Sequence, residues 1–143
     1  MIGKEGLELI KRFEGFAARE YRCPAGKRTI GYGHVLQPGE SWPDGITKEA
    51  AETLLLDDVS AAEGIIVEQV AAPLSAAQFD ALVSLVFNIG VGAFANSSLL
   101  VCLNRGDYVA AAAEFPRWCK VDKRGVSGLL RRRIEEMKMF LEE

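Results

Sequence analysis

The chain has 143 residues, 49% of them hydrophobic and 26% charged, with a formal net charge of −3 and a mean hydropathy of +0.08. A domain of this length buries roughly 70% of the surface its unfolded chain exposes, so it can fold without disulfides or a metal. Disorder, a collagen-like repeat and a disulfide scaffold are excluded by that composition.

Most of the chain reads as helix. Ile2, Leu9, Ile10 and Phe13 form an apolar stripe at helical spacing, and Gly15 follows where a helix would stop. From Tyr21 to Leu36 the texture changes, through Tyr21-Arg22-Cys23-Pro24-Ala25-Gly26-Lys27-Arg28-Thr29-Ile30-Gly31-Tyr32-Gly33-His34. Pro24 and Gly26 suit a tight turn, and Cys23 is pushed to an extended conformation because it precedes proline. The segment predicts a small β-hairpin or three-stranded sheet, the only sheet expected in the chain. Residues 37–46 read as a loop. Thr47 then caps one long helix to about Val70, roughly 35 Å at 1.5 Å per residue. Ser75 and Gln78 form a capping box that opens a strongly apolar helix through Phe87, ended by Asn88-Ile89-Gly90. Shorter helices follow near 97–104 and 108–114, the second capped by Asp107. The last runs from about Gly128 to Leu141, with Ser127 as its cap. The fold class is α+β and mostly helical: a helix, a small sheet, a long connecting helix and a C-terminal helical bundle.

Three cysteines, Cys23, Cys102 and Cys119, always leave one over, which suits a chain folded in a reducing compartment. Cys102 and Cys119 read as core and near-surface residues without chemistry. The longest apolar stretch, Ala81 to Val91, is interrupted by Ser84 and Asn88 and falls short of the roughly 20 residues of a membrane span. Met1-Ile2-Gly3-Lys4-Glu5 has no apolar run behind its lysine, so no signal peptide is expected. Charge is uneven: residues 40–68 carry a net −7 and residues 117–133 a net +6. The basic segment suits either an anionic polymer or a solvated face. Nucleic acid is a poor fit, because the whole chain is acidic and Trp118 alone stands among the basic residues, too little for a base-stacking surface.

Glu14 closes the first helix beside an apolar stripe. Partial burial and the negative end of the helix dipole disfavour a charge there, so a carboxyl group at this point can keep a proton to donate. Alone, such a residue reads as a solvated charge. The spacing beyond it is distinctive: eight residues to Cys23, then five to Thr29 in Thr29-Ile30-Gly31-Tyr32-Gly33-His34. This resembles the catalytic signature of the phage-type lysozymes, the endolysins of tailed bacteriophages. The resemblance continues through Asn88-Ile89-Gly90-Val91-Gly92-Ala93-Phe94, Ser98-Leu99-Leu100, Leu103-Asn104-Arg105-Gly106-Asp107-Tyr108, Glu114-Phe115-Pro116-Arg117-Trp118 and Gly128-Leu129-Leu130-Arg131-Arg132-Arg133.

The resemblance implies a single lysozyme domain over 1–143. A small β lobe with the connecting helix would span about 14–70, and a helical lobe about 71–143 together with 1–13, with a glycan chain in the cleft between them. It also implies hydrolysis of the β-1,4 bond between N-acetylmuramic acid and N-acetylglucosamine in peptidoglycan, for host lysis. Glu14 would protonate the leaving oxygen, while Cys23 and Thr29 hold a water on the opposite face of the sugar, as in an inverting enzyme. Substrate contacts are implied at Tyr32, Val35, Arg132 and Arg133. Three neighbours on a helix lie about 100° apart, so Arg131, Arg132 and Arg133 cannot share a partner; the resemblance implies that Arg132 or Arg133 pairs with Glu14. No cofactor or metal is implied. The implied partner is bacterial peptidoglycan, met by a monomer that is made in the host cytoplasm and acts in the periplasm.

Cys23 departs from the commoner Asp of the family. It is open to three readings: a small packed residue, a working thiol or thiolate, or a change that impairs hydrolysis. Arg22, Lys27 and Arg28 lie near enough in sequence to lower its pKa. The alternatives to a hydrolase are a lytic transglycosylase, which needs no positioned water, and a catalytically weak module that grips cell wall or builds a virion. His34, the only histidine, reads as a structural residue paired with a carboxylate, since one imidazole makes no metal site. Gly31 and Gly33 leave one face of a strand bare, which suits either close approach of a sugar or a bend in a twisted sheet.

Overall fold

A computed structural model of the chain describes residues 1–121 and 124–142. The chain divides into two compact units, Glu8–Ser60 and Met1–Leu7 with Ala61–Glu143. These boundaries fall earlier than the expected 13/14 and 70/71.

The small unit holds most of α1 (Lys4–Glu14), the strands β1 (Ala17–Arg22), β2 (Arg28–Gly31) and β3 (His34–Val35), and α2 (Lys48–Asp58). Gly15 ends α1 at φ +73°, its N–H donating to the Lys11 carbonyl. Only glycine takes that left-handed conformation at little cost. The strands form one antiparallel sheet in the order β1-β2-β3. The Cα register pairs Tyr21 with Thr29 and Thr29 with Val35. A bulge between Ala17 and Tyr21 shifts the pairing of β1. Ile10, Ile30, Ala51 and Leu55 are buried in this unit. At α2, Thr47 accepts a hydrogen bond from the Ala50 N–H, the expected cap.

The expected long helix from Thr47 to Val70 is interrupted: α2 stops at Asp58 and α3 runs Ser60–Gln69. Two acids, Asp57 and Asp58, stand at the C-terminal end of α2 and oppose its dipole. The Ser60 hydroxyl donates to the Asp57 carbonyl at 2.6 Å, taking an acceptor that a continuous helix would have used. Val59 keeps helical angles, so the break is slight.

The helical unit contains α4 (Ala76–Ile89), α5 (Val91–Ala95), α6 (Ser98–Asn104), α7 (Tyr108–Glu114), a 3₁₀ turn at Phe115–Arg117 and α8 (Ser127–Phe140). The Ser75–Gln78 capping box and the Asp107 cap form as expected. Ser127 is the first residue of α8 rather than its cap, and the cap position, Val126, offers no side-chain oxygen. A second small sheet, β4 (Lys120–Val121) with β5 (Arg124–Gly125), corrects the expectation of only one. Strands of two residues are too short to show a period of two. Asp122 and Lys123 of the basic segment lie outside the described residues.

α4 and α8 carry a buried polar group within this unit. Glu136 lies 2.7 Å from Arg133 Nε and 3.2 Å from Arg132 Nε, and accepts from the Ser84 hydroxyl at 2.5 Å. Burial raises the pKa of Glu136, against the two guanidinium charges. Asp80, also on α4, accepts from the Gly3 and Gly6 N–H groups at 2.9 and 3.2 Å, so the start of α1 is capped from a distant helix. A Cβ at Gly6 would lie 2.6 Å from that of Asp80, which explains the glycine there.

Candidate active site

Glu14, Cys23, Thr29, Tyr32 and Val35 all belong to the small unit. Glu14 is the last residue of α1 and is half-buried. Its carboxylate rests against the backbone of Gly33, where a Cβ would lie 2.5 Å from Oε1. Gly33 has φ +75° and Gly31 φ +66°, and a Cβ at Gly31 would meet that of Ala51 at 3.0 Å. The space beside these glycines is therefore filled by Glu14 and by α2, rather than left bare for a sugar.

Directly paired residues of neighbouring strands share a face, and so do residues two apart on one strand. The register therefore sets Tyr21, Thr29 and Val35 in one row across the three strands, with Cys23 beside Tyr21 at the end of β1. Arg22 and Arg28 fall on the other face. Arg28 pairs with Glu20 through two hydrogen bonds of 2.5 and 2.9 Å, and Arg22 donates to the Gly26 carbonyl.

The sequence placed cations near Cys23; the structure turns two of them away. The half-buried thiol nevertheless has a lowered pKa. The Lys27 backbone N–H is the main cause, opposed by burial and assisted by the Ala25 N–H and the Thr29 hydroxyl. The tight turn builds this cradle: Cys23 N–H donates to the Lys27 carbonyl, and Gly26 N–H to the Cys23 carbonyl. Thr29 is buried at the centre of the row and donates to the Lys27 carbonyl at 2.9 Å. Its single proton serves either that carbonyl or the Cys23 sulfur, and in both cases the oxygen keeps lone pairs to accept a hydrogen bond from water.

His34 binds Asp58 through Nδ1 at 2.7 Å and Glu40 through Nε2 at 3.1 Å, the carboxylate pairing read from the sequence. Burial lowers its pKa, but the hydrogen bonds and charges of Asp58 and Glu40 outweigh it, and the net shift is upward. Glu40 is lowered, chiefly by the Gln37 N–H, and Asp58 is raised by burial. This cluster fastens β3 to the end of α2 and to the 37–40 turn.

The remaining sequence candidates divide by exposure. Val35 is exposed at one end of the row. Tyr32 is buried, its ring 5.4 Å from that of Phe16 and 5.5 Å from the Lys11 ammonium, which also pairs with Glu52 of α2 at 3.0 Å. Its ring thus helps to hold α1, sheet and α2 together. Arg132 and Arg133 are interior residues of the helical unit, bound to Glu136. Spacing could have shown this, since Glu136 stands four and three residues beyond them on one helix. Sequence reasoning missed Tyr21, although strand pairing places it opposite Thr29. Burial raises the Tyr21 pKa, and the charges of Glu14 and Cys23 add to the rise, so both groups lie within its electrostatic reach. Among the described residues no group of three or more His, Cys, Asp or Glu could hold a metal, and no helix is long and apolar enough to cross a membrane.

The sequence is 44% identical over 145 residues to an endolysin of Acyrthosiphon pisum secondary endosymbiont phage 1, covering 97% of each chain. It is 41% identical over 143 residues to an endolysin of Salmonella phage P22, covering 98% of this chain and 97% of that one. The fold matches the muramidase domain of SpmX from Asticaccaulis excentricus with a TM-score of 0.91 and 36% identity, over 100% of this chain and 99% of that one. The fold is that of a lysozyme-type glycoside hydrolase. The chain belongs to the phage lysozyme family, whose sequence pattern matches residues 11–136.

Proposed function

We propose that this lysozyme cleaves the β-1,4 bond between N-acetylmuramic acid and N-acetylglucosamine of bacterial peptidoglycan, with inversion at the anomeric carbon. Glu14 is the general acid that protonates the leaving glycosidic oxygen. Water attacks from the opposite face of the sugar, held by hydrogen bonds to the Thr29 oxygen and the Cys23 sulfur. One observation carries this reading: a sulfur with a lowered pKa and a threonine oxygen with free lone pairs meet on one face of the sheet, in the unit that also holds Glu14. The Cys23 sulfur stands where the commoner family pattern has an aspartate. Exposed Val35 touches the sugar beside Thr29, while Tyr32 supports the site from the interior of the small unit.

The two units work as one lysozyme domain over residues 1–143, made in the host cytoplasm and acting on periplasmic peptidoglycan during phage lysis. Mass spectrometry of digested peptidoglycan tests the chemistry. Muropeptides ending in reducing N-acetylmuramic acid are expected. Products with a 1,6-anhydro end would establish a transglycosylase instead, and reducing N-acetylglucosamine would place the cut at the other bond.

A further inference from the structure

We propose that Tyr21 is a saccharide-contacting residue, which lays its ring against the bound sugar and donates its hydroxyl proton to a sugar oxygen. This deepens the reading above and rests on it. The three tyrosines have different surroundings. Tyr32 is 8% exposed, its ring covered by Phe16 and Lys11. Tyr108 donates to the Pro73 carbonyl at 2.6 Å. Tyr21 is 41% exposed, and among the described residues its hydroxyl has no hydrogen bond and its ring no aromatic or cationic partner.

Its position is specific. The row across the sheet runs Tyr21, Thr29, Val35, with buried Thr29 between two exposed apolar side chains and Cys23 on the same face. A sugar placed over Thr29 and Cys23 therefore has an aromatic ring at one flank and Val35 at the other. Tyrosine suits such a place: it offers a large apolar face with a polar tip, and it loses only two side-chain torsions when it is fixed. Burial, with Glu14 and Cys23 nearby, raises the pKa of the phenol, which favours its role as a donor towards the sugar.

The bland account is that tyrosine favours any strand. Tyr21→Phe keeps strand propensity and ring but removes the donor. Tyr21→Thr keeps propensity and removes the ring. Steady-state cleavage of soluble, uncross-linked peptidoglycan strands separates KM from kcat, and titration of the same strands onto the Glu14→Gln protein, with and without each Tyr21 change, reads binding alone. Loss of one neutral hydrogen bond predicts a rise of about three- to tenfold in KM and in Kd for Tyr21→Phe. A larger rise is expected for Tyr21→Thr, with kcat within about twofold and Tm within about 2 °C of the parent. Unchanged KM and Kd in both variants would overturn the proposal, as would a loss that follows Tm alone. Residual cleavage by Glu14→Gln would instead sink the acid assignment, and the KM of the Tyr21 variants would still decide this one.

Discussion

Gly33→Ala isolates the contact that holds Glu14. Two costs enter. An alanine at φ +75° pays for a left-handed backbone, about 1–2 kcal/mol. Its methyl group would also lie 2.5 Å from Glu14 Oε1, well inside contact distance, so the carboxylate must move. Gly106→Ala is the matched control, with the same φ of +75° and no atom within 4 Å of its added Cβ. For a domain of this size the shared backbone cost lowers Tm by roughly 3–6 °C in both variants. Only Gly33→Ala should lose activity. A misplacement of the order of 1 Å in a reacting group costs about 10²-fold, so kcat/KM should fall by roughly 10- to 100-fold, while Gly106→Ala stays near wild type. The assays are calorimetric Tm and lysis of permeabilised Gram-negative cells. Equal activity in the two alanine variants would refute the placement of Glu14 against Gly33.

His34 ties stability to pH. Its folded pKa is raised, so its contribution is complete below the ordinary value near 6.5 and is lost as pH rises through the folded value. Glu40 is lowered, so its contribution is present above about 4.5 and fades as pH falls through its own folded value. Tm should therefore peak between these limits, and His34→Asn should flatten the alkaline decline; an unchanged curve would show that the cluster is idle. Cys23→Asp should keep or raise lytic activity and Cys23→Ala should lose most of it, whereas an alanine variant equal to wild type would make position 23 packing alone. Arg133→Met leaves the buried Glu136 with one guanidinium fewer, which should cost about 3–5 kcal/mol by urea unfolding. A cost under about 1 kcal/mol would show that the pair contributes little.

What could be read from the sequence was mostly local. The Thr47 and Asp107 caps and the Ser75–Gln78 box are interactions within four residues, so their chemistry is written beside the helix they start. The spacing of Glu14, Cys23 and Thr29 could be read through family resemblance, whereas the row that includes Tyr21 emerged only with the strand register. Features set by distant partners could not be read. The capping of α1 depends on Asp80, more than 70 residues away. Gly33 looked like room for substrate because nothing in the sequence says that the Glu14 carboxylate fills it. The basic segment suited either an anionic polymer or a solvated face. Arg132 and Arg133 instead turn inward because Glu136 is buried on the same helix, while Arg131 stays exposed.

The most direct test of the proposed chemistry is the anomeric form of the newly made reducing end, followed by proton NMR before mutarotation erases it. Soluble peptidoglycan strands cut by the wild-type chain should first release α-N-acetylmuramic acid, because Thr29 and Cys23 direct water to the face opposite Glu14. Initial release of the β-anomer would contradict that water and the inverting mechanism built on it.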